Sequence, residues 1–420
     1  MREMKDSGVD SIGFIPFEWT NTRLKYLCSI TTGDSDTQDA TPKGKYPFYV
    51  RSPIVERSDR FTFEGDGILI AGDGAGAGRI FHRVHGKYAV HQRVYRLYDF
   101  KNVNIDFIYH YLESLFPSEM DRGSAQSTVP SIRLPMLTNL QVALPPIEEQ
   151  NLIVSFVSEK VDAITEAIAR HRSIIEKLEE YKKSVITQAV TKGLNPDVEM
   201  KDSGIPWIGE MPEKWGVMRI KDTSWLKGRI GWDGLKASEF IDEGPYLITG
   251  TDFCDGYINW DTCVHITKQR FEEDTLLHIR ENDLLITKDG TVGKVAIAKD
   301  CPKETSLNSG VMIIRNKSKY IYNSKYMYYI LLSDEFKHWF EYSQKPGSTI
   351  KHLYQHQFGE FKHTFPPLEE QQQIADFLDS KCSKINESIE QSNKVIQKLE
   401  EYKKSLIYNA VTGKIDCRNA

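Results

Sequence analysis

Two stretches of the chain carry apolar residues at spacings that alternate four and three. The first runs Val157, Val161, Ile164, Ile168, Ile175, Leu178, Val185, Ala189, and the second Leu378, Cys382, Ile385, Ile389, Ile396, Leu399, Leu406, Ala410. Polar residues occupy matched steps of the two grids: His171 with Ser392, and Lys182 with Lys403. A heptad seam sustained over about five repeats predicts a coiled coil, with the polar steps setting register. The alternative is an amphipathic helix lying on its own domain. That reading accounts less well for the length, because a lone helix of about 35 residues would leave a long apolar stripe in water. Pro145-Pro146 and Pro366-Pro367 end the strands before each seam, since proline offers no N–H to a ladder. Glu148-Glu149 and Glu369-Glu370 then fall in the first helical turn, where they complement the helix dipole. Gly193, Asn195 and Gly413 mark the far ends. Elsewhere, apolar or alternating runs predict strands at 67–71, 87–97, 283–287, 292–298 and 310–315, with helices at 106–115 and 324–340. The fold class is therefore mixed α/β (α+β).

The chain also repeats itself. MKDSGVDSIGFIPFEW at 4–19 returns as MKDSGIPWIGEMPEKW at 200–215, an offset of 196. GILIAGDGAGAGRI at 67–80 resembles DLLITKDGTVGKVA at 283–296, an offset of 216. LPPIEEQ at 144–150 matches FPPLEEQ at 365–371, and KLEEYKKS at 177–184 recurs at 398–405, both at 221. The offset drifts through the first part of each repeat and then stays constant. A globular domain tolerates insertions in its loops, whereas one residue added to a helix would rotate all later side chains by about 100°. The organisation read from this is a first domain at 1–144, a helix at 145–195, a second domain at 196–365, and a second helix with the C-terminal tail at 366–420. A pseudo-twofold axis between the helices would pair them antiparallel and put the domains at opposite ends of a rod about 52 Å long. Duplex DNA rises about 3.4 Å per base pair, so such a rod holds two heads more than one turn apart.

Composition narrows the classes. The chain has 420 residues, with 54 Lys+Arg against 59 Asp+Glu and a formal net charge of −5. Residues 1–144 hold 17 basic and 17 acidic side chains, and residues 196–365 hold 22 and 25. No segment is a basic, non-specific nucleic-acid binder, and intrinsic DNA affinity should be weak. Six scattered cysteines without a Cys-x-x-Cys pair predict reduced thiols and a cytoplasmic location. Residues 1–6 carry no apolar run, so a signal peptide is not expected.

The Trp-ending box (Pro212-Glu213-Lys214-Trp215), the strand into Asp-Gly-x-x-Gly-Lys, the Gly-Ser-Thr box, PPLEEQQQI, KLEEYKKSLI and the terminal AVTGKIDCR together resemble the specificity subunits of type I restriction–modification enzymes. The likeness covers essentially the whole chain, and its helical blocks are the specific part. The first copy departs from it, with Thr191-Lys192-Gly193 against Thr412-Gly413-Lys414 and with Pro16-Phe17-Glu18-Trp19 as its box. The resemblance implies two target recognition domains, each reading one half of a bipartite DNA sequence. It implies helices that set the spacer and dock two methyltransferase subunits, with restriction subunits joining them. S-adenosylmethionine and ATP with Mg²⁺ would then sit on the partners, and this chain would hold no cofactor and no metal.

Catalytic patterns in the chain are incomplete. An Asn/Asp-Pro-Pro-aromatic loop for adenine methylation is missing, since the Pro-Pro pairs follow Leu144 and Phe365. The glycine-rich run 72–78 leads into another predicted strand, not a helix, and Lys288–Lys294 lacks the P-loop spacing. Asp197-x-Glu199-x-Lys201 mimics a nuclease signature within a linker, and His352 with His356 lacks a metalloprotease glutamate. DNA contacts are expected from basic or amide side chains on glycine-rich loops: Arg79, His91, Gln92, Arg93, Gln126 and Arg133 in the first domain, and Arg229, Trp232, Lys288, Lys294, Lys345, Ser348 and Lys351 in the second. Arg and Lys can bond guanine, Gln can bond adenine, and Trp232 can stack or pack. The competing functional readings are a coiled-coil adaptor that binds only proteins, and an autonomous enzyme.

Overall fold

A computed structural model of the chain describes residues 2–123, 130–229, 234–318, 321–344 and 351–419. It separates into two compact units, Met1–Arg172 with Asn393–Ala420, and Ser173–Ser392. The two long helices are continuous over Ile147–Lys192 and Leu368–Val411. Each contributes part of its length to each unit, so the first unit is discontinuous in sequence while the second is one continuous segment.

In the first unit, a four-stranded antiparallel sheet has the order Ser29–Thr32, Val94–Tyr98, Gly67–Ala71, Phe81–Val84. A second sheet adds Lys87–Val90, parallel to Tyr46–Tyr49 and antiparallel to Phe63–Glu64. The run expected to be one strand at 87–97 is therefore two, in different sheets. Val90, Val94 and Leu97 are all buried, so the apolar run continues on both sides of the corner made by His91-Gln92-Arg93. The helix Ile105–Gly123 covers the first sheet, with Phe107, Tyr111 and Phe116 in the core beside Ile68, Ile70 and Leu97. The domain is closed at its base by Thr20–Arg23, antiparallel to its last strand, Gln141–Leu144.

The second unit repeats this plan with more strands. Its main sheet has the order Ser224–Gly228, Val311–Asn316, Leu284–Thr287, Val295–Ile297, Tyr257–Ile258, Phe253–Cys254. Gly216–Arg219 pairs antiparallel with Lys362–Phe365 to close the base. The helix expected at 324–340 is two, Ser324–Leu332 and Asp334–Ser343. Ser333 is extended (ψ 165°), and its hydroxyl donates to Ile330 O at 2.7 Å, giving the chain a local alternative to the helical ladder.

The long helices pair antiparallel within each unit. In the first, Ile164 and Ile168 bury against Leu406, Lys403 Nζ reaches Thr165 Oγ1 at 3.5 Å, and Arg172 Nη2 reaches Glu400 at 3.4 Å. In the second, Ile186, Ala189 and Val190 share a core with Ile374, Leu378 and Cys382, and Lys182 Nζ donates to Asn386 at 2.8 Å. Both seam lysines thus bond across to the other helix. Ile153 and Val157 lie in the first domain's own core, so the helices serve as coiled-coil strands and as domain walls at once. No helix among the described residues is long and apolar enough to cross a membrane.

Candidate nucleic-acid interface

The two units share a polar frame that the repeat predicts by position. Trp19 Nε1 donates to Glu149 Oε2 at 3.1 Å, and Trp215 Nε1 to Glu370 Oε2 at 2.9 Å. Gln150 Nε2 donates to Pro145 O while its Oε1 accepts from Asn104 N; Gln371 does the same with Pro366 O and Asn323 N. Asn104 and Asn323 each accept the first amides of the helix that follows them. One repeated Trp and one repeated Glu-Gln pair therefore lock the start of each long helix to the base of a domain. The far helix ends join the same frames. Gly413 (φ 73°) packs on Pro16 and Trp19 in the first unit, and Gly193 (φ 75°) packs on Trp215 and Glu370 in the second.

With this frame fixed, the glycine-rich turns of the two domains fall at equivalent places. Ile132 N donates to Gly72 O at 2.7 Å, and Leu353 N to Lys288 O at 3.0 Å. These are the same bond at offsets of 216 and 221. In the first unit the turn carries Asp73, beside a groove lined by Thr37, Arg51, Ser52 and residues 73–76. Asp73 accepts from Arg51 Nη1 at 2.8 Å and from Arg93 Nη1 at 2.6 Å. Burial works against the Asp73 charge, but Arg93 and Arg51 hold its carboxyl below the usual range. Gln92 is exposed and donates to Asp36 at 3.1 Å. Arg79 is exposed beside Asp121. Arg133 is exposed, directly after the segment that bonds to the turn.

In the second unit, the matching Asp289 pairs with His352. Lys288 is half-buried and donates to Arg229 O at 3.0 Å, and burial lowers its pKa against the pull of Asp289. Lys294 and Lys351 are exposed. The side chains of Arg133, Lys294 and Lys351 make no hydrogen bond or ion pair to the described residues.

Two of the expected contact residues face inward. His91 is 3% exposed; it accepts from Arg93 N at 3.0 Å, and burial, with Arg51 nearby, lowers its pKa. Arg229 is 2% exposed and donates to Leu307 O at 3.1 Å and to Ser306 at 3.4 Å. Each is spent on backbone, His91 on the Arg93 amide and Arg229 on the Leu307 carbonyl. Gln126, Trp232, Lys345 and Ser348 lie outside the described residues. Sequence reasoning passed over Arg51. It has no counterpart in the second repeat and enters the site only because the Tyr46–Tyr49 strand ends beside the turn.

The family model for the type I restriction modification DNA specificity domain matches residues 16–180 and again 212–398. The MjaVIII type I restriction enzyme specificity subunit of Methanocaldococcus jannaschii is 26% identical over 96% of this chain and 95% of its own length. The EcoDI specificity subunit of Escherichia coli is 21% identical over 96% and 90%. A solved chain from a study of complex assembly and conformational transition in a type I R-M system superposes with a TM-score of 0.70 at 16% identity, over 96% of this chain and 99% of that one. That likeness extends the shared fold to the whole length. Two copies of one domain, each on its own Trp–Glu frame, thus make this chain a member of the type I restriction modification DNA specificity family.

Proposed function

We propose that the chain is the non-catalytic reader of a modification complex and recognises duplex DNA as a gapped word. The glycine-rich end of each domain reads one half. The helices, 46 and 44 residues long, fix the spacer and dock two methyltransferase subunits, with restriction subunits joining the assembly. Methyl transfer from S-adenosylmethionine and ATP-driven cleavage belong to those partners. The observation that carries this reading is the repetition of one frame under two different turn surfaces. The same scaffold holds Asp73 with two arginines in one unit and Asp289 with His352 in the other. A common scaffold with divergent tips suits two unrelated half-sites. Contacts then fall to Arg79, Gln92, Arg93 and Arg133 in the first head and Lys294 and Lys351 in the second, some on bases and some on phosphate. Lys288 supports the second turn. The near-neutral charge of each domain means that partner subunits supply much of the backbone affinity. Selection from a pool of random duplexes, using the chain with its methyltransferase, tests the reading. Enrichment of two short fixed words at a constant gap is the expected result; a single contiguous word, or no enrichment, contradicts it.

A further inference from the structure

Counting guanidinium donors separates the arginines of the first domain. Arginine has five N–H donors in a planar fork. Arg83 uses two of its nitrogens, bonding Asp106, Asp66 and Val84 O. Arg57 bonds Gly44 O and Lys45 O, and Arg96 is 6% exposed between Tyr88 and Glu64 O. These side chains are committed to the domain. Arg60 and Arg79 use one nitrogen each, on separate acids, and Arg51 and Arg93 differ in sharing one acid. Among the described residues, each uses a single nitrogen, Nη1, on opposite oxygens of one carboxylate, Asp73. Their side chains are 41% and 62% exposed, while that of Asp73 is 17% exposed.

The backbone around the carboxylate is fixed from three sides. Gly72 N donates to Arg93 O at 2.8 Å, Gly74 N to Pro130 O at 3.0 Å, and Ile132 N to Gly72 O at 2.7 Å. A Cβ on Gly72 would stand 2.7 Å from Arg93 O, so the turn and the Arg93 corner approach as closely as only glycine permits. One rigid acid thus holds two forks with their remaining donors unused. We infer that Asp73 is a positioning residue that aims Arg51 and Arg93 together at the duplex, and that this pair determines the specificity of the first half-site, with guanine edges as the acceptors they suit. The inference rests on the DNA-reading proposal above. A phosphate clamp is the competing use of the same forks. It is disfavoured because Asp73 cancels one of the two charges, which a clamp would need, while the ion pairs fix the orientation that base reading needs. The equivalent acid in the second repeat, Asp289, holds His352, so the acid keeps its place while its partner changes between the heads.

The test uses the full chain with its methyltransferase, on a duplex carrying the word that the wild-type complex methylates and on duplexes with one half scrambled. Arg51→Ala and Arg93→Ala should each lower the preference for the correct first half by about ten- to a hundred-fold, without changing preference for the other half. Asp73→Asn removes the anchor and a negative charge. It should lower that same preference while leaving binding to the scrambled duplex equal or tighter, a split that simple unfolding would not produce. Arg60→Ala, an exposed side chain paired with Asp39, serves as the unchanged control. Equal losses on all duplexes for Asp73→Asn, or retained first-half preference in Arg51→Ala, would overturn the inference. A wild-type complex with no preference in either half would instead overturn the DNA-reading proposal itself.

Discussion

At the scale of single residues, the two repeats solve one problem in chemically different ways. The last strand of each domain has a buried amide that needs an acceptor. In the first unit Ala143 N donates to the hydroxyl of Tyr111 at 3.1 Å. In the second, the equivalent Thr364 N donates to Glu335 Oε1 at 3.0 Å. Glu335 is fully buried, and burial pushes its carboxyl up to about 8, with the Thr364 amide and hydroxyl pulling the other way. His363, beside it in the strand, is also fully buried, and burial lowers it to about 4. The signs follow from proton linkage. From the ordinary Glu value to about 8, folding takes up a proton at Glu335, so stability falls as pH rises through that window. From the ordinary His value down to about 4, the unfolded chain binds the proton, so stability falls as pH drops. The two slopes offset near pH 5 to 6. Glu335→Gln removes the alkaline slope. It should stabilise the second unit by about 3 kcal/mol at pH 7 and by little at pH 5, as read by hydrogen exchange of that unit's amides across pH. The repeated Trp and Glu of the frame were legible in the sequence because both copies state them. The Arg51–Asp73–Arg93 cluster was not, because three separate segments bring it together and nothing in the second repeat echoes it.

At the scale of elements, the long helices were the most legible part, since their seam must keep its period over many turns. The failures came where a buried pattern crosses a corner. Val90 and Val94 stay inside on either side of the His91 turn, and the apolar run of 324–340 continues through the break at Ser333. Periodicity reports burial, and burial does not end where a strand or helix does. The helix ends make a further prediction. Gly413 and Gly193 both have positive φ, which costs a side-chain-bearing residue roughly 1 kcal/mol. A Cβ at Gly413 would stand 2.4 Å from Pro16 Cδ, whereas at Gly193 it would stand 3.2 Å from the Trp215 ring. Gly413→Ala should therefore destabilise the first unit by roughly 2–4 kcal/mol, and Gly193→Ala the second by about half as much. Denaturant melts followed by hydrogen exchange in each unit would show the order.

At the scale of the whole chain, the repeat was legible but the compact units were not. A segment far away in sequence completes the first unit, Asn393–Ala420 joining Met1–Arg172, while the second unit is the continuous run Ser173–Ser392. Sequence order shows which segments are alike, and only packing shows which belong together. The reading parts are nonetheless excursions between two paired strands, Thr20–Arg23 with Gln141–Leu144 and Gly216–Arg219 with Lys362–Phe365. Such a base lets the excursion be exchanged while the Trp–Glu frame and the helices stay in place. The most direct measurement replaces residues 220–361 with the matching segment of a relative that reads a different sequence, and maps methylated adenines in cells carrying the complex. The account predicts one half of the modified word replaced, the other half and the gap unchanged. Alteration of both halves, or of neither, in a complex that still methylates would contradict it.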